Sequence, residues 1–350
     1  MLILGIETSC DETAAAIVSG DKYSKKIKLI SNIVASSLPL HSKSGGIVPE
    51  NAAREQVKYI IPVISGALSK ANLKPKDIDI IAITYGPGLI GSLLIGVETA
   101  KTLSYIWNKP LIPVNHLLGH IYANFVSEIS NFKFQISNSA VPEFPAIGLI
   151  VSGGHTDLIL LNKHGNLKWL GGTRDDAAGE ALDKIGRLLK LPYPGGPYIE
   201  QHAKKGDANK YQFPRPMIGS KDFDFSFSGL KAAVSREVEK TKLNEETVND
   251  ICLAAQKAIV NVIVRKTLKA AKKYNAKSIL LGGGVAANQT LRNELELEVR
   301  SQKLKAKIFA PSKKLCTDNA AMIAAAAFFN NKVVTWQKID ADPNLYFDLS

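Results

Sequence analysis

The chain contains one local pattern twice: an apolar strand, a turn of small and hydroxyl-bearing residues, and a second strand. The first copy spans about residues 2–19 and the second about residues 146–161. Taken singly, each turn is most simply a tight hairpin, which needs such residues. Its backbone N–H groups can also form an anion-binding nest for phosphates. The repetition predicts two structurally related halves.

Strands alternate with helices along the remaining sequence, which indicates an α/β fold with helices covering the sheets. Pro62 is expected to kink or break the first long helix, because proline cannot donate a helical hydrogen bond. The predicted strands lie at 28–36, 78–84, 111–114, 278–281 and 307–310. The predicted helices lie at 51–71, 93–107, 176–189, 230–239, 245–274, 289–302 and 319–329.

Residues 128–145 are rich in Ser, Asn, Phe, Lys and Gln without periodicity, which predicts a loop insertion between the halves. The expected domains are therefore 1–127 and 146–350, with a terminal helix able to pack back on the first. Residues 193–197 read as a loop and 207–228 as an irregular segment.

The composition is that of an ordinary globular protein, with 45% hydrophobic and 22% charged residues in 350. No apolar run reaches the roughly 18–20 residues of a membrane span. The N-terminus lacks the basic start of a signal peptide. The three cysteines, Cys10, Cys252 and Cys316, have no CxxC spacing, which favours a reducing compartment. A cytoplasmic location is expected.

The formal net charge of +12 permits a polyanionic partner such as nucleic acid. A lysine-rich proteome would explain the same charge, because the basic residues are scattered. The phenylalanines at 213, 223, 225 and 227 allow stacking on unpaired bases. Core packing is the favoured explanation for them.

Two of the six histidines, His116 and His120, lie four residues apart in a segment with helical apolar spacing. Positions i and i+4 are neighbours on one helix face, so both imidazoles can bind one metal ion. The alternative is a pair of helix histidines without a ligand. Leu117 stands where His-Glu-x-x-His metallopeptidases carry their general base. The pattern therefore favours a metal site but not a peptidase.

A third turn, Gly282–Gly284, opens the helix at 289–302. Glycine lets the backbone approach a ligand, and the helix dipole favours anions. The spacing is neither GxGxxG nor that of a Walker loop. A single triple glycine is most often a tight turn, but three such turns together indicate a nucleotide-type ligand.

These features resemble the actin-like nucleotide-binding superfamily, and several motifs are similar to those of one family within it. That family is TsaD (also Gcp), the tRNA N6-adenosine threonylcarbamoyltransferases, and the similarity covers about residues 2–330. The matching motifs are Gly5-Ile6-Glu7-Thr8-Ser9-Cys10-Asp11-Glu12-Thr13, Asn115-His116 with His120, Val151-Ser152-Gly153-Gly154-His155-Thr156, Asp175-Asp176-Ala177-Ala178-Gly179-Glu180-Ala181, Tyr193-Pro194-Gly195-Gly196-Pro197, Phe225-Ser226-Phe227-Ser228-Gly229-Leu230-Lys231 and Asp318-Asn319-Ala320-Ala321-Met322.

The resemblance implies two actin-like, ribonuclease H-like α/β lobes with mixed sheets flanked by helices and a cleft between them. It implies transfer of a threonylcarbamoyl group from threonylcarbamoyl-AMP to N6 of the adenine 3′ of certain tRNA anticodons, with release of AMP. The implied partners are tRNA, a TsaB-like paralogue and a TsaE-like ATPase. No association with a membrane is expected.

The resemblance also implies site residues. His116, His120 and Asp318 would bind one divalent metal, with Fe²⁺ first and Zn²⁺ or Mn²⁺ as alternatives. Without the resemblance, Asp318 would be interpreted as a helix N-cap. Asp11 is expected near the reacting centre, although turn formation also explains it. Residues expected to bind the adenylate are Ile150, Val151, Ser152, Gly153, Gly154, Asp183, Gly196, Glu200 and Asn288.

The chain departs from the family pattern at two positions. Glu200 replaces the usual Asp, and Gln56 stands near a usual His. His155 is a further candidate to contact metal or phosphate. Three rival functions remain: a metallopeptidase, a small-molecule kinase or ATPase, and a non-catalytic scaffold. The filled ligand positions disfavour the scaffold, and phosphoryl transfer would not need paired histidines.

Overall fold

The structure is a computed structural model that describes residues 1–21, 23–127 and 140–347. It divides into two compact units, Met1–Pro142 with Pro311–Ser350, and Glu143–Ala310. The sequence-based domains were 1–127 and 146–350, with a terminal helix able to pack back on the first; here the residues from Pro311 onward belong to the first unit. The predicted insertion at 128–145 lies mostly outside the described residues.

The first unit begins with the first of the two strand–turn–strand copies. Its described strands form a six-stranded sheet in the order β5-β4-β1-β2-β3-β6. Strands β1, β2 and β3 are antiparallel neighbours, whereas β4 and β5 continue from β1 in parallel. The elements of residues 1–127 are β1 (Leu2–Glu7), β2 (Glu12–Ser19), β3 (Ile27–Ser36), α1 (Leu38–Ser44), α2 (Pro49–Ala71), β4 (Ile80–Gly86), α3 (Ile90–Trp107), β5 (Leu111–Asn115), α4 (His116–Tyr122) and β6 (Val126–Ser127), with 3-10 turns at Pro75–Asp77 and Ala123–Phe125.

The second unit begins with the second copy. Its described strands form a five-stranded sheet in the order β11-β10-β7-β8-β9. Its elements are β7 (Ala146–Val151), β8 (Thr156–Lys163), β9 (Asn166–Gly172), α5 (Ala178–Leu188), α6 (Gly195–Ala203), α7 (Ser228–Lys240), α8 (Glu245–Lys273), β10 (Ser278–Gly282), α9 (Gln289–Ser301) and β11 (Lys307–Phe309), with a 3-10 turn at Gly284–Ala287.

The two sheets share one topology. In each, the first three strands form an antiparallel meander, and the next two add in parallel beside the first strand. Both sheets are mixed, and helices connect their parallel strands. The prediction of two related α/β halves is therefore confirmed. The carboxyl ends of the parallel strands meet at one edge of each sheet, where ligand sites of α/β proteins form.

The chain returns to the first unit through α10 (Lys313–Cys316) and α11 (Ala320–Asn330). Helix α11 is rich in buried alanines. These small side chains let the helix lie close to β1, where a side chain at Gly5 would collide with the Ala320 carbonyl. Residues beyond α11 then run along the sheet, since Val334 N donates to Leu111 O over 2.9 Å. A 3-10 turn follows at Trp336–Lys338.

Three local expectations need correction. Helix α2 runs unbroken through Pro62, whose side chain and that of Lys58 are exposed, so the lost hydrogen bond lies on the solvent side. Helix α1 was not predicted. A loop was expected at 193–197, but only 193 and 194 precede the helix, and 195–197 form the first turn of α6, where proline is tolerated because no intrahelical N–H donor is needed.

Helix α8 is long and apolar enough, by length and composition, to cross a membrane, with 72% of its most apolar window buried in the fold. Its buried residues extend along most of its length, so it is the central helix of the second unit's core. The three cysteines are free. Phe213, Phe223, Phe225 and Phe227 are buried, at most 8% exposed, which confirms core packing for them.

Candidate functional site

The two histidines are positioned by the junction between β5 and α4. Asn115 ends β5 and caps α4, because its side chain accepts hydrogen bonds from Leu117 N and Leu118 N. His116 is the first residue of α4, and His120 follows one turn later. Both side chains are buried, and their ring centroids lie 4.7 Å apart. The predicted helix face is therefore confirmed.

Asp318 joins this pair from the segment that returns to the first unit. Its Oδ1 lies 3.6 Å from His116 Nε2 and 3.4 Å from His120 Nε2. The candidate ligand atoms of the three residues lie within 4.8 Å of one another. The cap of α11 is Asn319, whose side chain accepts from Met322 N. The N-cap explanation of Asp318 is therefore wrong.

The three residues fit a divalent metal. Among the described residues, neither ring nitrogen of the buried His120 has a hydrogen-bond partner, which is costly unless a ligand completes the site. Burial lowers the pKa of His116, but the Asp318 and Glu7 carboxylates outweigh it and raise that pKa to about 9. Two imidazoles and one carboxylate suit iron, zinc or manganese. A metal bound at His116 would replace the ring proton that the two carboxylates stabilise.

Two neighbours of His116 were not among the predicted site residues. Nδ1 of His116 lies 3.2 Å from Glu7 Oε2 and 3.1 Å from Ser9 Oγ. Glu7 also accepts from Thr84 Oγ1, on β4, over 2.5 Å. The available signal in the sequence was Glu7 itself, a carboxylate at the end of the otherwise apolar strand β1. An isolated buried charge needs a partner.

The turn after β1 is held by hydrogen bonds from several other elements. Ser9 O accepts from Leu89 N, and Cys10 O accepts from Ser92 Oγ, both at the start of α3. Asp11 O accepts from the backbone and hydroxyl of Ser37. The Gln56 Nε2 group lies 2.9–3.2 Å from three carbonyl oxygens, those of Thr8, Cys10 and Glu12.

Gln56 thus contributes three contacts that hold the turn carrying Asp11. Every carbonyl from Thr8 to Glu12 accepts a hydrogen bond, so the turn has a single defined backbone conformation.

Acidic groups in this turn have perturbed pKa values. Burial, followed by the Asp318 charge, raises the pKa of Asp11. Burial and the neighbouring Asp11 raise the pKa of Glu12 to about 8. Burial, Asp11 and Asp318 also raise the pKa of the Cys10 thiol. The turn lies beside the candidate ligands, because Ser9 Oγ is 3.1 Å from His116 Nδ1.

The predicted adenylate-binding residues all lie in the second unit. Ile150 and Val151 end β7, and residues 152–154 form the following turn. Ser152 O accepts from Gly179 N near the start of α5. Gly283, with φ of 93°, packs so closely on Val151 O that a Cβ there would collide with it. The turns after β7 and β10 are therefore neighbours.

The helical members of this set are linked in a chain of contacts. Asp183 Oδ1, on α5, accepts from Gly195 N at the start of α6 over 2.7 Å, beside Gly196. Burial raises the pKa of Asp183. Glu200 Oε1, on α6, accepts from Gln289 N at the start of α9 over 2.8 Å. Asn288 caps α9. The structure brings these predicted residues together at one edge of the second sheet.

Two motifs of the second unit contact each other. Asp175 accepts from the hydroxyls of Ser226 and Ser228 and from Phe227 N, at the start of α7. These hydrogen bonds lower the pKa of Asp175 against the effect of burial. Asp175 therefore orders the segment before α7.

The sequence matches one protein family over most of its length. A family model described as TsaD: tRNA N6-adenosine threonylcarbamoyltransferase matches residues 28–325. A tRNA N6-adenosine threonylcarbamoyltransferase of Syntrophomonas wolfei is 48% identical, covering 98% of this chain and 97% of the relative. The Bacillus subtilis protein of the same name is also 48% identical, over 93% and 89% of the two chains.

Among solved structures, the chain is similar to full-length HypF in a phosphate- and nucleotide-bound form. That match has a TM-score of 0.60 at 12% identity, and it covers 94% of this chain and 55% of that chain. It concerns the fold alone.

The shared sheet topology and the fold match define a protein of two actin-like α/β lobes, and the relatives define a transferase. The chain belongs to the TsaD family.

Proposed function

We propose that the protein transfers the threonylcarbamoyl group of threonylcarbamoyl-AMP to N6 of the adenine 3′ of the anticodon in tRNA, releasing AMP. The observation that carries this proposal is the trio of His116, His120 and Asp318, with ligand atoms within 4.8 Å of one another, in a chain of this family. Ser9, in the turn that carries Asp11, contacts His116 of the trio over 3.1 Å.

The trio would hold one divalent metal, for which we propose Fe²⁺, with Zn²⁺ and Mn²⁺ as the alternatives that the same donors accept. When bound, the metal supplies Lewis acidity and a template for oxygen atoms of the acyl group. The buried histidines contribute neutral donors, and Asp318 contributes the negative charge.

Asp11 is the proposed general base. In the reaction, the N6 nitrogen forms a bond to the carbamoyl carbon, the bond from that carbon to the phosphate oxygen breaks, and AMP leaves. N6 must then lose a proton. Burial and Asp318 raise the pKa of Asp11, so its carboxylate takes up a proton more readily than an exposed one. The hydrogen-bonded turn holds Asp11 in place.

The adenylate would bind along the edge of the second sheet. The set proposed for it is Ile150, Val151, Ser152, Gly153, Gly154, Asp183, Gly196, Glu200 and Asn288. Gly153 and Gly154 are exposed, and the space where a Cβ would stand at each is open among the described residues. The exposed backbone of Gly153 and Gly154 would offer N–H groups to a phosphate. Glu200 uses Oε1 on Gln289 N, which leaves Oε2 for a ribose hydroxyl.

The proposed partners are tRNA, a TsaB-like paralogue and a TsaE-like ATPase, and the proposed location is the cytoplasm. The net charge of +12 suits a polyanion. Neighbouring helices α2 and α3 expose apolar side chains one turn apart, Val57 with Ile61 and Ile90 with Leu94. A helical surface of this kind fits a paralogue better than it fits tRNA.

The test is a transfer assay with threonylcarbamoyl-AMP, unmodified tRNA and both protein partners, followed by nucleoside mass spectrometry. We expect threonylcarbamoyladenosine from the wild type and none from His116→Ala. His202→Ala is the matched control, because His202 pairs with Asn249 outside the candidate centre. Absence of product from folded wild type with all partners present would overturn the proposal. ATP hydrolysis would then be measured for the kinase-like alternative.

A further inference from the structure

Glu7 is a buried carboxylate to which the proposed reaction assigns no role. Its side chain is 0% exposed at the end of β1. Oε1 accepts from Ser9 N over 2.6 Å, and Oε2 accepts from Thr84 Oγ1 over 2.5 Å. Oε2 also lies 3.2 Å from His116 Nδ1. Donors from the turn, from β4 and from α4 therefore converge on one negative charge.

This contact decides which nitrogen of His116 carries a proton when the other binds a ligand. An ionised carboxylate only accepts hydrogen bonds, so it stabilises an N–H at Nδ1. The hydroxyl of Ser9, 3.1 Å from Nδ1, can accept from the same group. Nε2 then keeps its lone pair and lies on the side of Asp318, 3.6 Å from Oδ1.

We propose that Glu7 is a positioning residue, which fixes His116 with Nδ1–H toward Glu7 and Nε2 toward the cation. This inference rests on the proposed metal site. A carboxylate behind a ligating histidine raises the basicity of the imidazole, and its loss typically costs about 10- to 100-fold in metal affinity. Glu7 and Asp318 together also supply two negative charges near a divalent cation.

The second histidine provides an internal contrast. Neither ring nitrogen of His120 has a hydrogen-bond partner among the described residues. His116 is thus oriented by contacts of Nδ1 with Glu7 and Ser9. His120 is instead oriented by packing and by Asp318, whose Oδ1 lies 3.4 Å from its Nε2. Changing Glu7 should therefore affect the environment of His116 and leave that of His120 unaltered.

The experiment is a Co²⁺ titration of metal-free full-length protein, followed by visible absorption. We expect a Kd about 10- to 100-fold weaker for Glu7→Ala. Glu7→Gln should lose less, because its amide oxygen still accepts from Nδ1–H. Ser31→Ala is the matched control, since it removes another buried hydrogen bond of the same sheet, to Ala67 O, without touching a histidine. Its Kd should equal that of the wild type.

A second readout separates positioning from folding. In Zn²⁺-loaded protein labelled at histidine, the Nδ1–H proton of His116 should give a downfield NMR signal that moves upfield in Glu7→Gln. A folded Glu7→Ala variant with wild-type Co²⁺ affinity, or an unmoved signal in Glu7→Gln, would overturn the role of Glu7. A wild type that binds no Co²⁺ would instead overturn the metal site, and the inference with it.

Discussion

The two strand–turn–strand copies share a topology but differ in how their turns are held. The first turn, Thr8–Glu12, has each of its carbonyls bonded to a donor from α2, from the start of α3 or from Ser37. In the second turn, Ser152 N donates to His155 O and His155 N donates to Ser152 Oγ, and Ser152 O accepts from Gly179 N near the start of α5. Several elements thus bond to the first turn, whereas the second turn exposes Gly153 and Gly154.

The difference matches the two proposed tasks. A turn that carries a base must hold one side chain in one place, because small displacements of reacting groups are costly. A turn that binds a phosphate must expose its backbone, and Gly153 and Gly154 leave that space open. The same strand–turn–strand pattern thus holds a side chain in place in the first unit and exposes backbone N–H groups to a ligand in the second.

The strongest test of this contrast concerns Asp11. We expect Asp11→Asn to lower the transfer rate by about 100- to 10,000-fold, because general bases contribute factors of that size. Metal content should stay at the wild-type level, since Asp11 is not one of the three candidate ligands. The exposed Asp340 supplies the control variant Asp340→Asn, which should transfer at the normal rate. A normal rate for Asp11→Asn would mean that Asp11 serves only to form the turn.

Gln56 tests how firmly the first turn is held. Gln56→Leu removes the donor that serves three carbonyls, and we expect it to lower the free energy of unfolding by about 3 kcal/mol. The matched change in the second unit is Thr156→Val, which removes only the acceptor of Ala178 N and should cost about 1–2 kcal/mol. Urea denaturation measures both. Equal losses would contradict the difference between the turns.

Two glycines, one beside the first turn and one within the second, provide a further test of the difference between the turns. A Cβ at Gly88 would stand 2.5 Å from Ser9 O, so Gly88→Ala must displace the first turn, at a cost of about 1–3 kcal/mol. At Gly154 nothing described lies within 4 Å of that position, and Gly154→Ala should change stability by less than about 0.5 kcal/mol. We expect Gly154→Ala to weaken AMP binding measured by calorimetry. Unchanged AMP affinity would argue against the second turn as a phosphate site.

Much of the fold was predictable because it depends on local pattern. The apolar runs of β1 and β7 and the small residues after them are visible in the sequence, and so is the i, i+4 spacing of the histidines on α4. Helices α1 and α6 were not predicted, since Pro39 lies in the first turn of α1 and α6 begins with two glycines and a proline, which are typical of loops. Their helical state depends on contacts such as that of Asp183 with Gly195 N.

The site was harder to predict because its members are distant in the sequence. Glu7 and His116 are 109 positions apart, and only the parallel pairing of β1 with β4 and of β4 with β5 brings their strands together. Asp318 entered the prediction through the family resemblance, since local pattern alone favoured a cap. The cap proved to be the next residue, Asn319.

The smallest expected effect concerns pH and Glu12. Burial and Asp11 raise the pKa of Glu12 from its ordinary value of 4.5 to about 8 in the folded protein. The folded state therefore holds this proton more tightly than the unfolded state does. The resulting stabilisation is complete below about pH 4.5 and disappears as the pH rises through about 8.

We expect the wild type to lose about 1–2 kcal/mol more than Glu12→Gln between about pH 5 and pH 8.5, a figure reduced for partial solvent exposure. Urea denaturation at both pH values measures the difference. Glu50→Gln, at an exposed ion pair with Arg54, should keep the wild-type slope. A Glu12→Gln variant with that same slope would mean that the first turn accommodates the charged carboxylate. The turn would then be more open to water than its hydrogen bonds indicate, and closer in character to the second.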